Sequence, residues 1–329
     1  MTTAFVLSGG ASLGSIQVGM LEALYERDIR PDLIVGTSAG ALNGAFIADR
    51  PQVVQTAHAL GDVWRGLSRG QVFPVNPVTG ALGLIGARSH LVPDSGLRTL
   101  IGRHTTADRL EETLVPLHVI ATDVLRGEEV RLSEGPLVDA VMASAAIPGV
   151  LPAVDWAGRE LIDGGVANNA PLTHALELGA DEVYVLPTGA PCELDSAPHG
   201  ALAMLIYATS LLVHARLANE IAALAGDARI TVLPPPCPLS VAPTDFGRAD
   251  ELIEQARSDA RSFLDGRASG RSAARGRRPR TRGPLRHSAP SLPPGGSAPR
   301  SRGSGCPGAA PTAAGAASSP QSSAGPTSA

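Results

Sequence analysis

The chain has 329 residues, 43% of them hydrophobic and 3% aromatic, with 27 basic and 31 acidic side chains and a net charge of −4. The balance is uneven: residues 267–329 hold ten Arg and no acidic residue, while residues 1–266 hold 17 Arg and 31 acidic residues, a net of −14. An acidic body of that length suits one large α/β domain with an aliphatic core, followed by a separate basic tail, and no specific nucleic-acid partner is expected. The three cysteines (Cys192, Cys237, Cys306) are widely spaced with no CxxC pair, which argues against a disulfide framework or a zinc site. No metal or cofactor is expected. The first residues lack a basic n-region and a long apolar h-region, and the longest apolar stretch, 201–215, falls short of the ~20 residues a bilayer span needs. The expectation is a cytoplasmic protein, at most peripheral to a membrane.

Short apolar runs at 4–7, 33–35, 117–121, 183–186 and 230–233 are rich in β-branched residues and suit strands buried on both faces. Between the first two, Leu13, Ile16, Met20, Leu21 and Leu24 fall on one face of a helix. Further helices are predicted over 39–48, 52–65, 95–103, 137–145, 172–178, 201–225 and 248–265. Strands alternating with helices predict a three-layer α/β/α architecture around a mostly parallel sheet. Residues 66–95, with recurrent Gly and Pro, are expected to form a loop-rich insertion and flap. Residues 267–329, almost entirely Arg, Gly, Pro, Ala and Ser, have too little apolar surface to offset the entropy of ordering and are expected to be a disordered tail.

Chemistry concentrates in three turns. The first, Ser8-Gly9-Gly10-Ala11-Ser12-Leu13-Gly14, lies between a predicted strand and a predicted helix. Such a turn presents backbone N–H groups to an anion, as a phosphate loop, an oxyanion hole or a purely structural turn. The dinucleotide reading is weakened because Ala11 stands at the third position of GxGxxG, where a glycine is required, and no GK[ST] follows for a P-loop. The second, Gly36-Thr37-Ser38-Ala39-Gly40, follows a strand directly and opens a helix. That setting is a nucleophile elbow, in which flanking small residues permit a sharp turn and expose the Ser38 hydroxyl at a helix start. The third is Leu161-Ile162-Asp163-Gly164-Gly165-Val166-Ala167-Asn168-Asn169. A carboxylate at a strand end, with glycines after it, can come within reach of a serine hydroxyl and act as its base. Asp123, Asn168 and Asn169 read as strand-end and loop hydrogen bonding.

The three turns in this order resemble the patatin-like phospholipase family. Pro116 to Asp123, ending in Ala-Thr-Asp, Ala143-Ser144-Ala145-Ala146-Ile147-Pro148, and Gly179-Ala180-Asp181 resemble further blocks of that family. The likeness spans most of residues 3–187. It implies a Ser38–Asp163 dyad without histidine, with the Gly164 and Gly165 base motif, and an oxyanion hole made by the N–H groups of Gly9, Gly10 and Ala11. It implies a carboxylic ester hydrolase acting on lipids, of phospholipase A, lysophospholipase or esterase type. Where the family commonly has a third glycine and a basic residue, this chain has Ala11 and Leu13. That departure shifts weight toward lysophospholipids and neutral esters. The alternatives are a lipid-binding or acyltransferase protein on the same fold, and a Ser-His-Asp hydrolase using His118, His174, His199 or His214. The Arg-rich tail offers transient contact with an anionic membrane surface.

Overall fold

Strand β1 (Thr3–Leu7) lies at the centre of the sheet, and its alternate residues serve two different cores. Phe5 and Leu7 enter the larger core, while Ala4 and Val6 enter the smaller one on the opposite face. The same alternation divides β2 (Leu33–Thr37), β3 (Leu117–Asp123) and β7 (Glu182–Leu186), which explains why these strands read as unbroken apolar runs. Each Val, Ile or Leu fully buried in this way contributes about 1.5–3 kcal/mol.

The computed structural model describes residues 1–74, 87–189, 201–224, 229–237, 239 and 241–276. With β4 (Glu128–Leu132), β5 (Val154–Trp156), β6 (Arg159–Asp163) and β8 (Arg229–Val232), the sheet has eight strands among the described residues. Its order is β5-β6-β3-β2-β1-β7-β8, with β4 paired to β3. The five strands from β8 to β3 are parallel, matching the five apolar runs. The three antiparallel strands were not legible as such runs, because β4 and β6 are polar at three of their five positions and β5 has only three residues.

Helices cover both faces, as expected. On the larger core lie α1 (Ser15–Tyr25), α2 (Ala39–Ala48), α3 (Val54–Gly66), α4 (Arg69–Val72), α5 (Ser95–His104), α6 (Leu137–Ser144) and α9 (Ala249–Gly276). On the smaller one lie α7 (Leu172–Glu177) and α8 (Ala201–Ala223), the latter through Leu217 and Ile221. Helix α1 differs from the one-faced helix its spacing predicts, since all eleven of its residues are buried. The cause is α9, whose Ile253 and Arg257 backbone approaches so closely that a Cβ on Gly19 would lie 2.2 Å from the Ile253 carbonyl.

Helix α9 continues to Gly276, so its last ten residues fall within the stretch read from composition as tail. Residues 277–329 lie outside the described residues, as do residues 75–86 of the expected flap. Around that gap, Leu91 and Val92 donate to the backbone of Gly149 and Val150, tying residues 91–92 to the segment after α6. Cys237 is disulfide-bonded, contrary to the cysteine spacing, which carries no information on pairs that only the fold brings together. Among the described residues, no helix is long and apolar enough to cross a membrane.

Candidate active site

The site forms where two strands end against each other on one side of a third. Strand β2 runs parallel to β3 until Thr37 pairs with Ile120. Strand β6 runs antiparallel to β3 and ends with Asp163 paired to Ala121, the next residue along. Both β2 and β6 lie on the side of β3 opposite β4, which pairs with Val119 to Asp123. The residue after Thr37 therefore meets the last residue of β6. Ser38 Oγ donates to Asp163 Oδ2 at 2.6 Å.

Ser38 is the N-cap of α2 and has φ 52° and ψ −119°, a conformation that costs a non-glycine residue about 1–3 kcal/mol. The turn is as tight as the elbow motif predicts: a Cβ on Gly40 would lie 2.1 Å from the Leu7 carbonyl oxygen, so only glycine lets α2 start against β1. Gly36 is likewise packed against the backbone of Gly40 and Ala41. Thr37 is fully buried and its hydroxyl donates to the Asn168 carbonyl. Ala39 lies beside Ser38 in the wall of an apolar pocket.

Asp163 is buried, and burial pushes its carboxyl up to about 6 against the hydrogen bonds from Ser38 and Gly165, which pull it down. The Gly165 N–H donates to Asp163 Oδ1 at 2.7 Å, leaving Oδ2 for the serine. Gly164 packs on β3, where a Cβ would lie 2.1 Å from the Ile120 carbonyl. The Asp163 backbone is held by Thr122 Oγ1 on its carbonyl and by its own N–H on Ala146 O. Among the described residues no histidine bonds to Ser38 or Asp163. His118 bonds to Ser133, and burial holds it down at about 4; His174 sits between Glu129 and Glu177. His199 and the His214 side chain lie outside the described residues.

The glycine loop divides differently from expectation. The Gly9 N–H is occupied by the Asn169 carbonyl at 3.2 Å. The N–H groups of Gly10 and Ala11 have no acceptor among the described residues, and Ala11 takes up a left-handed φ of 51° at the start of a short 3-10 turn, Ala11–Gly14. Leu13 is buried in the larger core. Ala11 and Ser38 both line the apolar pocket, whose other walls include Leu42, Phe46, Trp64 and Leu100. Its empty space, including solvent at the mouth, is about 730 Å³.

The model of the patatin-like phospholipase family matches residues 5–176, just over half of the chain, and so covers the glycine loop, the elbow and the Asp-Gly-Gly turn. The chain belongs to that family. Patatin-like phospholipase domain-containing protein 7 of Mus musculus is 28% identical over 205 residues, covering 60% of this chain but 14% of the mouse protein. An NTE family protein of Mycobacterium bovis is 31% identical over 180 residues, 54% of this chain and 46% of that protein. The chain thus spans a minor part of the length of these relatives. Human GIVD cytosolic phospholipase A2, solved with methyl gamma-linolenyl fluorophosphonate, aligns with a TM-score of 0.44 at 13% identity, over 83% of this chain and 59% of that one.

In this patatin-like domain several residues to which sequence reasoning gave no part in the site hold it together. Asn169 does more than serve its own loop: its carbonyl takes the Gly9 N–H and its Nδ2 donates to the Gly9 carbonyl at 3.3 Å. Thr188, after β7, donates to the same carbonyl at 2.5 Å and stands where a Cβ on Gly10 would fall. Inside the core, Trp64 donates to Asn43, Asn43 to Gln17, and Gln17 to the carbonyls of Ser8 and Leu186. The available signal was an amide interrupting an otherwise apolar helix, at Gln17 in α1 and Asn43 in α2, since a buried amide must find partners. Asp123 does behave as read, accepting from the N–H groups of Leu125 and Arg126 in its own turn.

Proposed function

We propose that this chain is a serine acyl hydrolase that cleaves carboxylic esters of lipids, with Ser38 as nucleophile and Asp163 as general base. The observation that carries the reading is the 2.6 Å hydrogen bond from Ser38 Oγ to a buried Asp163, with Ser38 in the wall of an apolar pocket. Asp163 takes the proton as Ser38 Oγ attacks the ester carbonyl, and the C–O bond to the alcohol breaks as that proton is returned to the leaving oxygen. Water, deprotonated by the same carboxylate, then hydrolyses the acyl-enzyme. The N–H groups of Gly10 and Ala11 stabilise the oxyanion in both steps. Gly9 is left out of that hole because its N–H already has a partner.

The substrate class follows from the lining. The pocket is mostly apolar, and Leu13 occupies buried space instead of presenting a cation, so a single acyl chain on a lysophospholipid or neutral ester fits better than recognition of an anionic head group. The ten Arg of residues 267–329 would draw the enzyme to anionic lipid surfaces.

The test is labelling with a serine-reactive fluorophosphonate together with turnover of a panel of lipid and p-nitrophenyl esters. Ser38→Ala is expected to abolish labelling and to lower turnover by roughly three orders of magnitude or more, with folding retained. Undiminished turnover in folded Ser38→Ala would sink the reading.

A further inference from the structure

Besides its bond to Asp163, Ser38 is held by a hydroxyl that the proposed chemistry does not use. The Ser38 backbone N–H donates to Ser144 Oγ at 2.8 Å. The Ser144 hydroxyl donates in turn to the Ile120 carbonyl at 2.5 Å. Ser144 is the last residue of α6 and is fully buried, as is Ile120. Ile120 is the β3 residue paired with Thr37, next to Ala121, which pairs with Asp163. One buried hydroxyl thus links the nucleophile's backbone to the point on β3 where β2 and β6 meet.

We infer that Ser144 is a positioning residue for the Ser38 nucleophile, and the inference rests on the serine-hydrolase reading above. The elbow is strained at Ser38, and a strained residue persists only where its surroundings over-determine it. The Ser38 carbonyl is secured by the N–H groups of Ala41 and Leu42, which belong to the start of α2 and move with it. The Ser144 bond instead secures the N–H on the strand side, through a different helix. Without it the Ser38 amide plane can rotate, and that plane sets the direction of Cα–Cβ and so the path of Oγ. The tolerance is small, because a misplacement of ~1 Å in a reacting atom costs on the order of 100-fold in rate. Gly164 packs against the same Ile120 carbonyl, so one oxygen on β3 registers both the nucleophile and the loop that carries its base.

The full chain would be compared as wild type, Ser144→Ala and Thr56→Val, the last removing another buried hydroxyl, one that donates to Pro51 O away from the site. Measured would be the rate of fluorophosphonate labelling at Ser38, kcat and KM on a p-nitrophenyl ester, hydrogen exchange at the Ser38 amide, and the melting temperature. Ser144→Ala is expected to slow labelling and lower kcat by roughly 10- to 100-fold with KM within about twofold, the order set by misplacement of a reacting group. Its Ser38 amide is expected to exchange faster, while its melting temperature falls no further than that of Thr56→Val. Unchanged exchange at Ser38, labelling and kcat within about threefold of wild type, or an equal loss in Thr56→Val would each overturn the inference, those margins being small beside the 100-fold at stake. A wild-type protein that is neither labelled at Ser38 nor hydrolytic overturns the parent reading itself, and this inference with it.

Discussion

The Ser38 hydroxyl reaches Asp163 across 2.6 Å although 125 positions of chain separate the two. Strand geometry brings the two together: Thr37 and Asp163 pair with consecutive residues of β3, so β2 and β6 end head to head. Neither side chain depends on a flexible loop for its placement.

That geometry sets a pH dependence. In the proposed mechanism Asp163 must be ionised to accept the serine proton, and burial raises its carboxyl from the ordinary 3.8 to about 6. Activity is therefore expected to fall as pH drops through about 6, as a single protonation. Stability runs the other way: the protonated carboxyl favours the folded state, an advantage fully present below 3.8 and lost as pH rises through about 6. By neutral pH the stability lost in this way amounts to roughly 3 kcal/mol. Asp163→Asn is thus expected to lose activity as severely as Ser38→Ala while melting no lower than wild type at pH 8. Thermal melts and turnover measured across pH 4–9 check both signs.

A histidine would produce a similar acid limb, so substitution separates the two cases. His104 lines the apolar pocket, and His118 and His174 lie on β3 and α7. Replacing each by Asn or Gln is expected to leave turnover within about threefold, far from the loss that follows removal of a catalytic group. A folded histidine variant as inactive as Ser38→Ala would restore the triad.

The elbow tolerates no side chain at Gly40. Its Cβ would lie 2.1 Å from Leu7 O and 2.7 Å from Ser8 O, both backbone atoms of the central strand and the loop after it. Gly40→Ala must push α2 away from β1, at a cost of about 1–3 kcal/mol. Denaturant melts should show that loss, and labelling at Ser38 should fall with it.

Chain-length preference should follow the volume of the pocket. Leu100 on α5 is half-buried and lines it. Leu100→Trp is expected to lower kcat/KM for long-chain p-nitrophenyl esters by about tenfold relative to short ones, since each methylene in an apolar pocket is worth roughly 1–3 kcal/mol. An equal effect on all chain lengths would place the acyl group elsewhere.

The basic tail should matter at surfaces and not in chemistry. Truncation after Gly276, the last residue of α9, is expected to leave turnover of a soluble ester unchanged. It should weaken binding to anionic vesicles in a salt-dependent manner, by up to about 1 kcal/mol per Arg held near the surface. Vesicle sedimentation at two salt concentrations measures this.

By itself the sequence determined the parallel half of the sheet and the three turns of the site. Buried parallel strands must be apolar on both faces, so Ala4–Leu7 and its four counterparts stand out as unbroken runs. A turn tight enough to strain Ser38 must be flanked by glycines, so the elbow is visible without coordinates. Only the tertiary structure decided which backbone donors remain free and which side chain holds the Ser38 N–H. The Gly9 N–H is taken by a residue 160 positions away, and the Ser38 N–H by one 106 positions away. A hydrogen bond of that span leaves no periodic trace, because its partners share neither a helix face nor a strand, only a place where separate elements meet. The antiparallel strands left a weaker trace in the sequence for a related reason: β6 owes its position to pairing with β3 and β5, and the three polar residues among its five carry little sign of that pairing.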